Sequence, residues 1–263
     1  MSFLQTIVAA HPTSFMSSTF FVLLAFTLAL WLARRLRPRR YYLVRHGESL
    51  LNAEHIRQGP DGALSEAGRE QAARTGRYLA HVGIQKILAS PYERTRETAS
   101  VISEYVRAPI AYSALLAERR NPSEIIGKHT DDPEVMRVAD QIDHAYHDDA
   151  YRFSDEENFQ DLKRRARICL RMLSWQSERR VCVVTHSFFL KMLIAYLLYR
   201  ESLHASDYVK LSFFNASDNA SITICEFRPL HFFSKTRGWR VVSYNQQPDE
   251  PKTTLRREPL SVH

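Results

Sequence analysis

Leu43-Val44-Arg45-His46-Gly47-Glu48-Ser49 is the stretch on which the reading of this chain turns. Apolar residues running into a glycine-containing polar break predict a buried strand that ends at a loop. In an α/β protein the carboxyl end of a strand is where ligands sit. Arg45 and His46 are therefore expected side by side at the mouth of a site. A second stretch is built the same way. Val181-Cys182-Val183-Val184 is a continuous apolar run, as a central parallel strand requires, and Thr185-His186-Ser187 follows it. A helix expected over Phe188–Tyr199 puts His186 at another strand end, with helix amides behind it.

The 263 residues, 44% of them hydrophobic, suit one α/β domain with appendages or two small domains. The formal charge of +7 is uneven, because Arg34, Arg35, Arg37, Arg39 and Arg40 fall within one short arm. No aromatic–basic interleaving accompanies the arm, so no nucleic-acid partner is expected. Cys169, Cys182 and Cys225 are odd in number and widely spaced, which fits neither a disulfide framework nor a zinc site. Cys182 reads as a core thiol and the set as that of a reducing compartment. Phe15–Ala33 is apolar apart from small hydroxylated residues, and a spanning helix needs about 20 such residues. The arginines that follow predict a single N-terminal transmembrane helix, with a cytoplasmic catalytic domain anchored to the inner or plasma membrane. A cleaved signal peptide would carry its basic residues before the apolar region; a domain beginning near Arg40 is the other alternative. The organisation expected is an anchor and basic arm over 1–40, a catalytic domain over 41–246 and a disordered charged tail over 247–263.

Between the two histidines, Leu64-Ser65-Glu66-Ala67-Gly68 opens a helix reaching Val82, with Ser65 as N-cap. A short strand over Ile84–Leu88 is followed by Ser90-Pro91-Tyr92-Glu93-Arg94, in which Ser90 reads as an N-cap. Arg94 then lies on the first turn, where it reads either as a solvated helix charge or as a second anion-binding element. Glu118, between Leu116 and the pair Arg119-Arg120, reads on its own as a surface ion pair. Asp131-Asp132-Pro133 and Ser154-Asp155-Glu156-Glu157 each read as a helix start, and Leu162–Leu173 as a basic amphipathic helix. His144 and His147 form too weak a pattern for a metal site and read as solvated loop. Asn219–Ile224 and Trp239–Asn245 read as two late strands.

From Tyr41 to Asn245 this ordered set of motifs resembles the histidine phosphatase (phosphoglycerate mutase-like) superfamily, whose signature is Arg-His-Gly. The resemblance implies a three-layer α/β/α sandwich with a mostly parallel central sheet. It implies that Arg45 and Arg94 bind phosphate, that His46 is the nucleophile forming a phosphohistidine, and that Glu118 is the proton donor. It further implies that His186 holds a transition-state oxygen, with Asn52 and the amide of Ser187 completing the pocket. No metal, nucleotide or other cofactor is implied. The substrate expected is a small phosphorylated metabolite or a phosphoprotein. Two other readings stand beside this one. A mutase would retain the phosphohistidine, but Asn121-Pro122 stands where mutases of the family carry Tyr-Gly. A membrane-tethered non-catalytic binding domain would have lost a core residue.

Overall fold

The computed structural model describes residues 13–145, 147–214, 217–231 and 237–248. Two units make it up, 1–37 and 38–263.

The first unit is helix α1 (Thr13–Arg35). Its side chains are described from residue 20 to 33, and all of these are exposed. Among the described residues no helix is long and apolar enough to cross a membrane. The span expected over Phe15–Ala33, and the anchored orientation that rested on it, are therefore not upheld. The tail expected over 247–263 lies, after its first two residues, outside the described residues.

The second unit runs β1 (Arg39–Arg45), α2 (Leu50–Ala53), α3 (Glu66–Ala80), β2 (Lys86–Ala89), α4 (Glu93–Val106), β3 (Ile110–Tyr112) and α5 (Pro133–His144). It continues with α6 (Phe159–Ser174), β4 (Arg180–Thr185), α7 (Ser187–Tyr199), α8 (Ala205–Phe214), β5 (Ile222–Phe227) and β6 (Trp239–Gln246). Arg39 and Arg40, expected in the basic arm, instead open β1. Arg39 is buried, and Arg40 pairs with Glu226 at 3.3 Å.

The strands form one sheet in the order β3-β2-β4-β1-β5-β6. Side chains alternate across it as the pleat demands. Tyr41, Leu43, Val181 and Val183 enter one core with residues of α6 and α7. Tyr42, Val44, Cys182 and Val184 enter the other with residues of α3 and α4. This gives the three expected layers. The sheet is mixed rather than simply parallel, because β5 runs antiparallel to both β1 and β6. The reason is local. The Ala220 N–H donates to the carbonyls of Arg45 and His46, so the chain enters β5 at the end where β1 stops and must run back along it. All three cysteines are buried and unpaired, with burial raising each thiol to about 12.

Ser65 caps α3 as expected, its Oγ accepting from the Gly68 N–H at 3.0 Å. Two other helix starts differ from expectation. Helix α4 begins at Glu93 with Tyr92 at its N-cap and no side-chain cap bond, so Ser90 is free for another partner. Helix α6 begins at Phe159, capped by Asn158, and not at Ser154. The acidic residues before it are committed elsewhere: Glu156 pairs with Arg119 and Glu157 with Arg165.

Candidate active site

Parallel register sets the site. Arg45 lies opposite Thr185, and the His46 N–H donates to the Thr185 carbonyl at 2.9 Å. His46 and His186 thus leave neighbouring strands at one level, with ring centroids 5.1 Å apart and planes at 61°. The Ser90 N–H donates to the Val184 carbonyl at 3.0 Å, which brings the end of β2 to the same level.

His46 is buried, with Nδ1 2.6 Å from the carbonyl oxygen of Gly47. A carbonyl only accepts, so Nδ1 carries the proton and Nε2 of the neutral ring keeps its lone pair. Burial first, then the charges of Arg94 and Arg45, hold its pKa well below 6.5. His186 is fully buried, and its pKa is depressed by burial, then Arg94. Its Nε2 lies 2.8 Å from Ser90 Oγ, which also accepts from the Tyr92 N–H at 3.3 Å. The other ring nitrogen, Nδ1, is buried without a partner among the described residues.

Arg94, in the first turn of α4, is buried and donates from Nη1 to the Gly59 carbonyl at 2.9 Å. Arg45 donates to the Ser217 carbonyl. Burial lowers the pKa of both arginines, while the Glu118 charge acts to raise it.

Glu118 is not in a surface ion pair with its neighbours. Arg119 pairs with the buried Glu156, and Arg120 Nε donates to the Asp155 carbonyl at 2.7 Å. The Glu118 carboxylate instead accepts from the backbone N–H groups of Arg119, Phe188 and Phe189 at 3.0, 3.2 and 3.0 Å. It is docked on the first turn of α7, the turn that follows His186. Arg165 of α6 steadies this segment by donating to the carbonyls of Ala117 at 2.7 Å and Leu115 at 3.2 Å. The Thr185 hydroxyl donates to the Leu116 carbonyl at 2.8 Å.

A cleft of about 280 Å³ gathers Arg45, His46, Asn52, Arg94, Glu118 and Ser187 on its wall. His186 meets it through the ring of His46. Asn52 Oδ1 accepts from Ser49 Oγ at 2.9 Å. All seven residues expected at the site therefore fall in one place. Sequence reasoning missed Ser90, Arg165 and Thr185, which position the others, and Arg57, which lines the same cleft. The Ser-Pro-x-x-Arg pattern carried a signal for Ser90; Arg165 and Arg57 had none.

Residues 41–245 match the family model of the histidine phosphatase superfamily, branch 1. The chain is 41% identical over 78 residues to a protein of Erwinia tasmaniensis described as "Probable phosphoglycerate mutase GpmB", a match covering 29% of this chain and 36% of that one. It is 31% identical over 170 residues to the 6-phosphofructo-2-kinase/fructose-2,6-bisphosphatase of Gallus gallus, covering 63% of this chain and 34% of that one. The matches thus span about a third of the length of each of these relatives. The structure of a mycobacterial glucosyl-3-phosphoglycerate phosphatase superposes with a TM-score of 0.64 at 23% identity, covering 79% of this chain and 99% of that one. That likeness concerns the fold. The match of the family model over most of the length is decisive: this chain belongs to the histidine phosphatase superfamily (branch 1), and its site is built as an enzyme of that type.

Proposed function

We propose that the protein is a phosphomonoesterase that works through a phosphohistidine on His46 and acts on a small phosphorylated metabolite. The observation that carries this reading is the state of His46: a neutral ring, its Nδ1 proton committed to the Gly47 carbonyl, beside the half-buried Arg45 and the buried Arg94.

A phosphate monoester resists attack because its oxygens repel a nucleophile. Arg45 and Arg94 neutralise that charge, and their forked donors orient the group. The Nε2 lone pair of His46 attacks phosphorus in line, the P–N bond forms and the P–O ester bond breaks. Positive charge develops on the imidazole, where the Gly47 carbonyl stabilises it through Nδ1–H. Glu118 in its acid form gives its proton to the departing alkoxide. Water then attacks the phosphohistidine and Glu118 takes its proton. The P–N bond breaks and inorganic phosphate leaves. In the tautomer proposed for this step Ser90 Oγ, which accepts from the Tyr92 N–H, donates its own hydrogen to His186 Nε2. His186 then keeps Nδ1–H as a donor for a phosphoryl oxygen.

The likeness to GpmB favours a second reading, in which the phosphoryl group on His46 passes to a sugar acid rather than to water. One experiment addresses both. The full chain is assayed for hydrolysis of an aryl phosphate with chelator present, beside His46→Ala, and for phosphoglycerate interconversion. Hydrolysis abolished in the variant supports the phosphomonoesterase. Interconversion without net hydrolysis supports the mutase. Hydrolysis retained by His46→Ala refutes both.

A further inference from the structure

Beyond the reaction centre lies a second cavity of about 260 Å³, walled by Arg119, Ile142 and Phe188 among others. It shares Arg57, Glu118 and Asn121 with the cleft that holds the two phosphate-binding arginines. Glu118 therefore stands on the boundary between the two spaces. If it protonates the leaving oxygen, the carbon skeleton bearing that oxygen extends from the boundary into the second cavity. The space equals that of about nine waters in the liquid, which suits a small alcohol.

Arg57 is the distinctive group there. Its backbone is fixed, because its N–H donates to the Lys128 carbonyl and its own carbonyl accepts from the Gly127 N–H, both at 2.9 Å. The neighbouring bridge Ile56–His129 continues this pairing. Its side chain has no hydrogen-bonding or ion-pairing partner among the described residues, and its Nε is buried. Arg119, on the same cavity, pairs with Glu156 and lies over the Phe188 ring, so its charge is already matched. Asp143 on α5 acts on Arg57 through space without forming an ion pair. A partly buried cation held in place without a counter-ion is costly unless a ligand supplies the negative charge. The site already has two arginines for the reacting phosphoryl group, so this third one is spare.

We infer that Arg57 is a specificity residue that binds a second anionic group, a carboxylate or a second phosphate, on the leaving-alcohol side of the substrate. The substrate is then a small phosphorylated acid or bisphosphate, not a phosphorylated polyol or a phosphoprotein. This inference rests on the phosphomonoesterase reading.

The test uses the full chain and follows competitive inhibition of aryl phosphate hydrolysis by 3-phosphoglycerate and by glycerol 3-phosphate, which differ by a carboxylate replacing a carbinol. Wild type is expected to bind the acid about ten- to a hundredfold more tightly, and Arg57→Ala to erase that preference. Arg57→Gln gives the same readout without leaving a void, should the alanine variant not fold. Equal inhibition by the two compounds in wild type, or a preference that survives in either folded variant, overturns the inference and leaves the phosphomonoesterase reading intact. Absence of aryl phosphate hydrolysis by folded wild type overturns that reading, and this inference with it.

Discussion

Gly68→Ala is expected to damage both stability and catalysis, although Gly68 lies on α3, outside the reaction centre. A Cβ at Gly68 would stand 1.9 Å from the carbonyl oxygen of Glu48 and 2.8 Å from its carbonyl carbon. Real Cβ contacts stay beyond 3.0 Å, so the two backbones must part by about 1.1 Å. Gly47 is packed from the other side, where a Cβ would meet the Gly68 carbonyl oxygen at 2.3 Å. The contact cannot relax freely. The Glu48 carbonyl accepts from the Ser65 N–H at 2.9 Å, and Ser65 Oγ both caps Gly68 and donates to Glu48 Oε1 at 2.7 Å.

Overpacking costs about 1–3 kcal/mol, and one lost hydrogen bond adds about 1 kcal/mol. For a domain of this size, a loss of about 3 kcal/mol lowers Tm by roughly 6–12 °C. The loop displaced is the one whose Gly47 carbonyl orients His46. A misplacement near 1 Å costs about a hundredfold in rate. Gly76→Ala on the same helix is the control: its Cβ meets the partly exposed ring of Tyr105 at 2.6 Å, and a ring can move. Thermal unfolding and aryl phosphate kcat are measured for both variants. A Gly68→Ala protein with wild-type Tm and kcat would refute the argument. So would one in which Gly76→Ala loses as much activity.

Three further outcomes are expected. The folded-state pKa values of His46 and His186 lie well below 6.5, so below that pH the unfolded chain binds protons that the folded one does not. Their contribution to stability is present above pH 6.5 and is lost as pH falls; Tm should drop on acidification, less steeply in His46→Asn, and equal slopes would contradict this. Ser90→Ala frees the tautomer of His186 and should lower kcat roughly tenfold, with an altered ¹⁵N imidazole spectrum; an unchanged spectrum would remove the tautomer role. Glu118→Gln should slow alkyl phosphate hydrolysis by about 10²–10⁴ and slow that of an aryl phosphate with a good leaving group far less. Equal losses on both would argue against proton donation.

What the sequence disclosed followed the range over which each feature is determined. His46 and His186 were legible because an apolar run and the polar residue at its end are local, and parallel register makes two such ends adjacent. Glu118 sits in an irregular segment after a short 3-10 turn, so its role came only through resemblance. What holds its carboxylate, the first turn of α7, is 70 residues further on. Ser154–Glu157 shows the opposite case: acidic residues suited to a helix start were captured by Arg119 and Arg165, and the helix began later. Strand direction was equally non-local, since β-propensity is the same in either sense and β5 is reversed by its junction with the end of β1. Arg57 is one arginine in a polar loop until the segment from Gly127 to His129 pairs beside it.

These assignments share a physical pattern. Arg45 is held by the Ser217 carbonyl, Arg94 by the Gly59 carbonyl, His46 by the Gly47 carbonyl and Glu118 by three backbone amides. Among the described residues none of the charged groups in this set, Arg45, Arg94 and Glu118, forms an ion pair with an opposite side-chain charge. Main-chain dipoles orient the groups without cancelling them, so the cleft keeps its positive potential, and a phosphate dianion meets guanidinium groups that need not break an ion pair first. Replacing such a scaffold by salt bridges would spare the folded protein the cost of lone buried cations but would remove the reason for phosphate to bind. The same logic extends to Arg57, whose backbone is fixed while its charge is left open. The substrate proposed for this arrangement brings one phosphoryl group to Arg45 and Arg94 together and a second anionic group to Arg57.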